Sequence, residues 1–115
     1  MPQTTWTPEA IARVSSLTRD QATVLAEVFR LLGDPSRLRI ALLCAAGARA
    51  VTDIAEQLDM SVSLVSHHLR LLRSARLVRP ERQGRQVFYS ATDDNVRCVL
   101  IDMADHMFAW GEEEE

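Results

Sequence analysis

Residues 61–73, Ser-Val-Ser-Leu-Val-Ser-His-His-Leu-Arg-Leu-Leu-Arg, constrain this chain more than any other stretch. Val62, Val65, Leu69 and Leu72 recur at helical spacing and predict a face turned toward a core. Ser63, Ser66, His67 and Arg70 fall on other faces and can point outward. Ser61 precedes the run as a residue able to cap a helix. Short polar side chains near a helix N-terminus, followed by arginines, suit contact with base edges and phosphates.

The flanking segments give this helix a context. Thr52 and Asp53 are suited to cap a brief helix over 54–58, and Asp59, Met60 and Ser61 form a turn. Two helices joined in this way, the second longer and rich in arginine, predict a helix-turn-helix. Beyond it, residues 77–82 and 86–90 are expected to be two strands around Gln83, Gly84 and Arg85, since glycine admits the positive backbone angle of a tight hairpin. Pro80 must then lie at an edge or non-bonding position. The net charge of -3 does not itself suggest a nucleic-acid partner, but residues 70–85 hold six arginines and one acid. A local basic patch is what a DNA footprint requires, whatever the total charge.

Two helices before this region, expected over about 8–17 and 20–32, and a third from Asp34-Pro35 to Gly47 form a packing scaffold. A final helix is expected from after Thr92 to about Trp110, with Asp93 and Asp94 at the positive end of its dipole. Its stripe of Val96, Val99, Leu100, Met103, Met107 and Trp110 is apolar enough to dock on something, and in so small a chain a second subunit is one candidate. With 115 residues and 47% hydrophobic content, one domain over 1–110 is expected, followed by an acidic tail at 111–115 expected to be disordered. The absence of an apolar run of membrane-spanning length and of a signal-peptide pattern in the opening residues gives a cytoplasmic expectation, with no membrane partner. Cys44 and Cys98 lie far apart and fit neither a disulfide framework nor a zinc ribbon.

Four phrases in order resemble the ArsR/SmtB family of bacterial winged-helix repressors: Leu-Gly-Asp-Pro-Ser-Arg-Leu-Arg-Ile (32–40), Val-Ser-His-His-Leu-Arg-Leu-Leu-Arg (65–73), Leu-Val (77–78) and Arg-Gln-Gly-Arg-Gln-Val-Phe-Tyr-Ser (82–90). The resemblance covers roughly residues 25–106 and implies a mostly α, winged helix-turn-helix fold with a two-stranded β-wing and a C-terminal dimerisation helix. It implies a homodimer on double-stranded DNA, bound to a palindromic operator of its own operon and released by an inducer. By position, Val62, Ser63, Ser66 and His67 match the family's recognition-helix contacts, while Arg70 and the wing residues Arg82, Gln83 and Arg85 are placed to meet the duplex. His68 stands where the family often has glutamine, and its role is open.

The resemblance also supplies metal positions on the terminal helix, which in this chain are Asp93, Asn95, His106 and Ala109. Only Asp93 and His106 are good ligands, so the standard tetrahedral site for a divalent metal such as zinc lacks half of its donors. Asp102 with His106, or Glu112 and Glu113, are substitutes, though acid and histidine four apart also occur as plain surface pairs. Residues 49–53 carry no thiol of the arsenic-sensing type. Cys44 and Cys98 lie on the helices used by dithiol sensors but displaced from the usual positions, so possible redox thiols and buried unlinked thiols both stand open. The two functional expectations are a repressor answering to a metal ion or a thiol-reactive species, and a winged-helix protein-interaction module without DNA binding. Catalysis is not expected, since no nucleophile, acid pair or cofactor loop surrounds the histidines.

Overall fold

The computed structural model describes residues 6–113, with side chains as far as Ala109. The expected acidic tail, the Trp110 side chain and the substitute ligands Glu112 and Glu113 therefore lie outside the described side chains, and the last helix continues to Glu113 rather than stopping near Trp110. The chain forms two compact units, one ending at Arg30 and the other beginning at Leu31.

In the first unit, α1 (Pro8–Ser15) starts at Thr7, whose hydroxyl accepts from the Ala10 amide at 3.0 Å. It ends two residues short of the expected Leu17, where the Ser15 and Ser16 hydroxyls donate back to the carbonyls of Ile11 and Ala12. The next helix, α2 (Arg19–Leu32), opens with a reciprocal box. The Thr18 hydroxyl accepts from the Gln21 amide at 3.1 Å, and the Gln21 side chain accepts from the Thr18 amide at 3.0 Å.

The second unit carries α3 (Pro35–Ala46), β1 (Arg49–Ala50), α4 (Val51–Leu58), α5 (Val62–Ser74), β2 (Val78–Gln83), β3 (Gln86–Ala91) and α6 (Asp94–Glu113). Asp34 caps α3 by accepting from the Arg37 amide at 2.9 Å, and Ile40, Ala41, Cys44 and Ala45 form its buried face. Around that face pack α5, α6 and β3. The core is completed by Ile54 and Ala55 of α4, by Val65, Leu69 and Leu72 of α5, and by Leu100 of α6.

The sheet has three antiparallel strands in the order β1-β3-β2, not the two expected. Arg49 and Ala50 pair with Tyr89 and Phe88, and a two-residue strand is too short to show a periodic signal. This pairing explains a second difference. Ala50 is held extended and serves as the N-cap of α4 without any side-chain bond, so the helix starts at Val51 instead of at a Thr52-Asp53 cap. Pro80 lies on β2, an outer strand, as its missing N–H demands.

Helices α4 and α5 both end in Schellman turns, each with a side chain where glycine is usual. Asp59 (φ 55°) closes α4 with Met60 N–H on the Ala55 carbonyl at 2.9 Å, and Arg76 (φ 64°) closes α5 with Leu77 N–H on the Leu72 carbonyl at 2.9 Å. Leu72 and Leu77 are both buried beneath the second turn. The left-handed backbone at Arg76 strains a residue with a Cβ. Arg76→Gly is therefore expected to raise stability by about 0.5–1 kcal/mol, seen as a higher urea midpoint at unchanged slope. Leu69→Ala, which empties the middle of the core, is expected to cost about 2–5 kcal/mol in the same assay.

Candidate nucleic-acid interface

The exposed side of α5 is built by the same periodicity that buries its other side. Ser61 caps the helix by accepting from the Leu64 amide at 3.0 Å. At about 100° per residue, Ser63, Ser66, His67 and Arg70 share one face, and Val65, His68, Leu69 and Leu72 share the opposite one. The second set is buried; in the first, Ser66 is half-buried and the other three are exposed. Val62, expected to face the core, is instead 48% exposed at the edge of the outward face. It is the first residue of α5, and this exposure leaves it available as a candidate contact.

The wing presents the remaining candidates. Gln83 pairs with Gln86 across the two-residue turn Gly84-Arg85, with Gly84 at φ 64° as a hairpin with glycine first requires. Arg82, Gln83 and Arg85 are all exposed at this tip. Arg70, Arg73, Arg76 and Arg79 continue the cationic surface from the end of α5 into β2, each of them exposed. The structure thus offers a polar helix face and an arginine-bearing hairpin in one unit, the two parts that a winged helix brings to a duplex.

The candidate ligands and thiols are distributed differently. The Asp93 carboxylate caps α6, its Oδ1 accepting from the Val96 amide at 3.0 Å. His106 is exposed on the same helix, thirteen residues further on, which at the helical rise is about 20 Å away. One ion cannot join them within a single chain. Asn95 and Ala109 are exposed, and among the described residues no group of three or more histidine, cysteine or acidic side chains is placed to hold a metal. Cys44 is 1% exposed on α3, and Cys98 is exposed on α6. Burial pushes the Cys44 thiol up to about 12, against a smaller opposing pull from Arg49, so it is protonated at neutral pH. Cys44 lines a cleft of about 230 Å³ with Arg79, Asp93 and Arg97, so one candidate thiol and one candidate metal ligand do share a cavity.

His68 is the functional candidate that the sequence left without a role. It is the buried polar residue of this core, 6% exposed, and its position three after Val65 and four before Leu72 was the signal for it. Burial and the Arg37 guanidinium push its pKa below the usual histidine value, with a smaller opposing effect from Asp34 and a further lowering by His67.

A helix-turn-helix followed by a β-hairpin wing defines the winged-helix class of DNA-binding domains. Comparison with known proteins narrows the class. Residues 34–79 match the family model for bacterial regulatory proteins of the arsR family. The chain is 47% identical over 88 residues to a transcriptional repressor SmtB homolog of Synechocystis sp., covering 76% of this chain and 67% of that protein. It is 40% identical over 83 residues to the HTH-type transcriptional regulator KmtR of Mycobacterium tuberculosis, covering 72% and 64%. The solution structure of a homodimeric winged helix-turn-helix DNA-binding domain from Mycobacterium bovis, a possible ArsR-family regulator, superposes with a TM-score of 0.67 at 28% identity, covering 83% of this chain and 88% of that one. The chain belongs to the ArsR/SmtB family of transcriptional regulators and is not an enzyme.

The contrast between the thiols is measurable. With iodoacetamide at neutral pH, Cys98 is expected to be alkylated in the native protein while Cys44 reacts only after unfolding, as read by mass spectrometry of the tryptic peptides. The Cys44 shift also has a definite sign: its contribution to stability is full below the ordinary thiol value of 9.0 and is lost as pH rises toward about 12.

Proposed function

We propose that this protein is a homodimeric, sequence-specific DNA-binding repressor that sits on a palindromic operator in its own operon and leaves it on binding an inducer. The observation that carries the reading is the division of α5 into a buried face and an outward polar face beside an arginine wing. Ser63, Ser66 and His67 are the candidate base-edge contacts, with Val62 offering apolar contact to a thymine methyl. Arg70, Arg82 and Arg85 are assigned to phosphate or minor-groove contact, and Gln83 to the tip. Dimerisation is assigned to α6, where Met103, Met107 and Phe108 are 60%, 57% and 75% exposed. A patch of that kind calls for a covering surface.

The inducer is assigned to one of two chemistries. Asp93 and His106 lie too far apart to meet in one chain, but two antiparallel α6 helices bring the start of one against the end of the other, where a divalent ion such as zinc takes N and O donors. A thiol-reactive species would act first at exposed Cys98, because Cys44 is buried and protonated. The place of action in this reading is the cytoplasm, where the DNA is. No helix among the described residues is long and apolar enough to cross a membrane.

Anisotropy titrations with duplex from upstream of the protein's own gene, against scrambled duplex, test the reading. Ser66→Ala and His67→Ala are expected to cost about 1–3 kcal/mol on the specific duplex and little on the scrambled one. Arg82→Ala and Arg85→Ala are expected to weaken both and to reduce the slope of log affinity against log salt by about 1 each. Equal affinity for both duplexes would favour the protein-interaction module instead. In sedimentation, Met103→Glu is expected to convert dimer to monomer; an unchanged dimer would remove α6 from that role.

A further inference from the structure

The cleft beside Cys44 lies at the base of the wing, and the proposed duplex contacts do not use it. Three parts of the second unit wall its 230 Å³: the end of α3, the paired strand residues Arg79 and Ser90, and the first turn of α6. Arg79, Asp93, Asp94 and Arg97 bring two cations and two carboxylates to this space. Every other lining residue is cysteine, alanine, glycine, serine or threonine, and none is bulky enough to fill it. Oγ1 of Thr92, in the wall, is buried with no hydrogen-bond partner in the structure, which leaves the polar lining incompletely satisfied.

The charges are arranged unusually for so small a space. Asp93 and Asp94 precede Arg97 by four and three residues, spacings at which opposite charges commonly meet on a helix. Among the described residues, however, the ion pair that forms joins Glu27 and Arg30 on α2, and none of the four cleft charges takes part in one. The Asp93 carboxylate is turned to its own helix, where Oδ1 accepts from the Val96 amide at 3.0 Å. The volume is below the roughly 300 Å³ at which pockets for drug-sized ligands begin, so the cleft suits a very small occupant. A simple anion there would meet Asp94, and a simple cation would meet two guanidiniums. A molecule carrying both charges answers both signs.

We propose that this cleft binds a small α-amino acid as its zwitterion, the carboxylate on Arg79 and Arg97 and the ammonium at Asp94, and that its occupancy weakens DNA binding. The inference rests on the reading of the chain as a DNA-binding regulator released by an inducer, and adds a third effector chemistry to the two named above. The direction comes from Arg79, which belongs both to the cleft and to the cationic run that leads from α5 into β2. A carboxylate held by that guanidinium removes a positive charge otherwise available to phosphate. The occupant also bridges β2 to the first turn of α6, so that one ligand ties the wing to the proposed dimerisation helix.

The test uses the full chain with a chelator present, so that an amino acid cannot act by carrying a metal. Thermal midpoints without DNA report binding, and anisotropy with the upstream duplex reports coupling. L-Alanine and L-serine are the probes, with acetate and ethylammonium as single-charge controls. At millimolar concentration both amino acids are expected to raise the midpoint and to lower duplex affinity about fivefold or more, while the controls do neither. Arg97→Gln and Asp94→Asn, neither of them assigned to the duplex, are expected to keep the unliganded affinity and to lose both responses. Amide nitrogen-15 spectra of the unmodified chain locate alanine even if neither variant folds, with shifts expected to centre on Ala48, Ser90 and Asp94. Shifts centred elsewhere, or responses that survive both substitutions, overturn the site. A midpoint that no amino acid moves overturns it too, and acetate acting as strongly as alanine overturns the zwitterion. A raised midpoint with unchanged duplex affinity overturns the coupling. Failure of the unliganded chain to bind any duplex overturns the DNA reading, whereas the midpoint still decides the cleft.

Discussion

The packing of α5 on α3 is the contact on which the second unit depends. Val65, Leu69 and Leu72 are fully buried against a face of α3 made of Ile40, Ala41, Cys44 and Ala45. Small residues on α3 allow close approach, and each large side chain buried in return contributes about 1.5–3 kcal/mol. Because a helix has two sides, this burial also decides what faces outward. Ser63, His67 and Arg70 are exposed as a consequence of where the three aliphatic side chains must go. The DNA-contacting surface proposed for this chain is thus produced by its hydrophobic core.

The same unit shows how backbone constraints set the directions of its parts. Asp59 and Arg76 each reverse the chain through a left-handed residue after a helix, and the second reversal leads directly into β2. The wing is then anchored at its base by the pairing of Val78 with Ala91 and carried out to Gln83 and Gln86. On the far side, β1 ties Arg49 and Ala50 to β3 and supplies the start of α4. A regulator needs its helix and its wing held in one orientation, and these short pairings join them through a common strand.

Much of this was legible beforehand. The spacing of Val65, Leu69 and Leu72, the Ser61 cap, the proline at Asp34-Pro35 and the glycine at the wing tip each report a local rule, and local rules fixed α3, α5, β2 and β3 to within a residue or two. Where the reading failed, the cause lay outside the segment concerned. Val62 obeys the helical period, yet it is 48% exposed at the first position of α5. Two residues of β1 carry no periodic signal, so the third strand and the true start of α4 became visible only through their partner, β3. The stripe on α6 was recognised, but the sequence could not show that it is buried at Leu100 and open at Met103 and Met107.

The sequence by itself determined the order of elements, the family and the chemical character of the outward face of α5, because these follow from periodicity, caps and contiguous phrases. Tertiary structure alone decided how distant groups stand to one another. It buried Cys44 and left Cys98 exposed, placed Asp93 in one cleft with Cys44, and brought His68 into the core. The physical reason is that burial and charge proximity belong to the packed interior, where a thiol is held protonated and an imidazole neutral by neighbours many residues away in the chain.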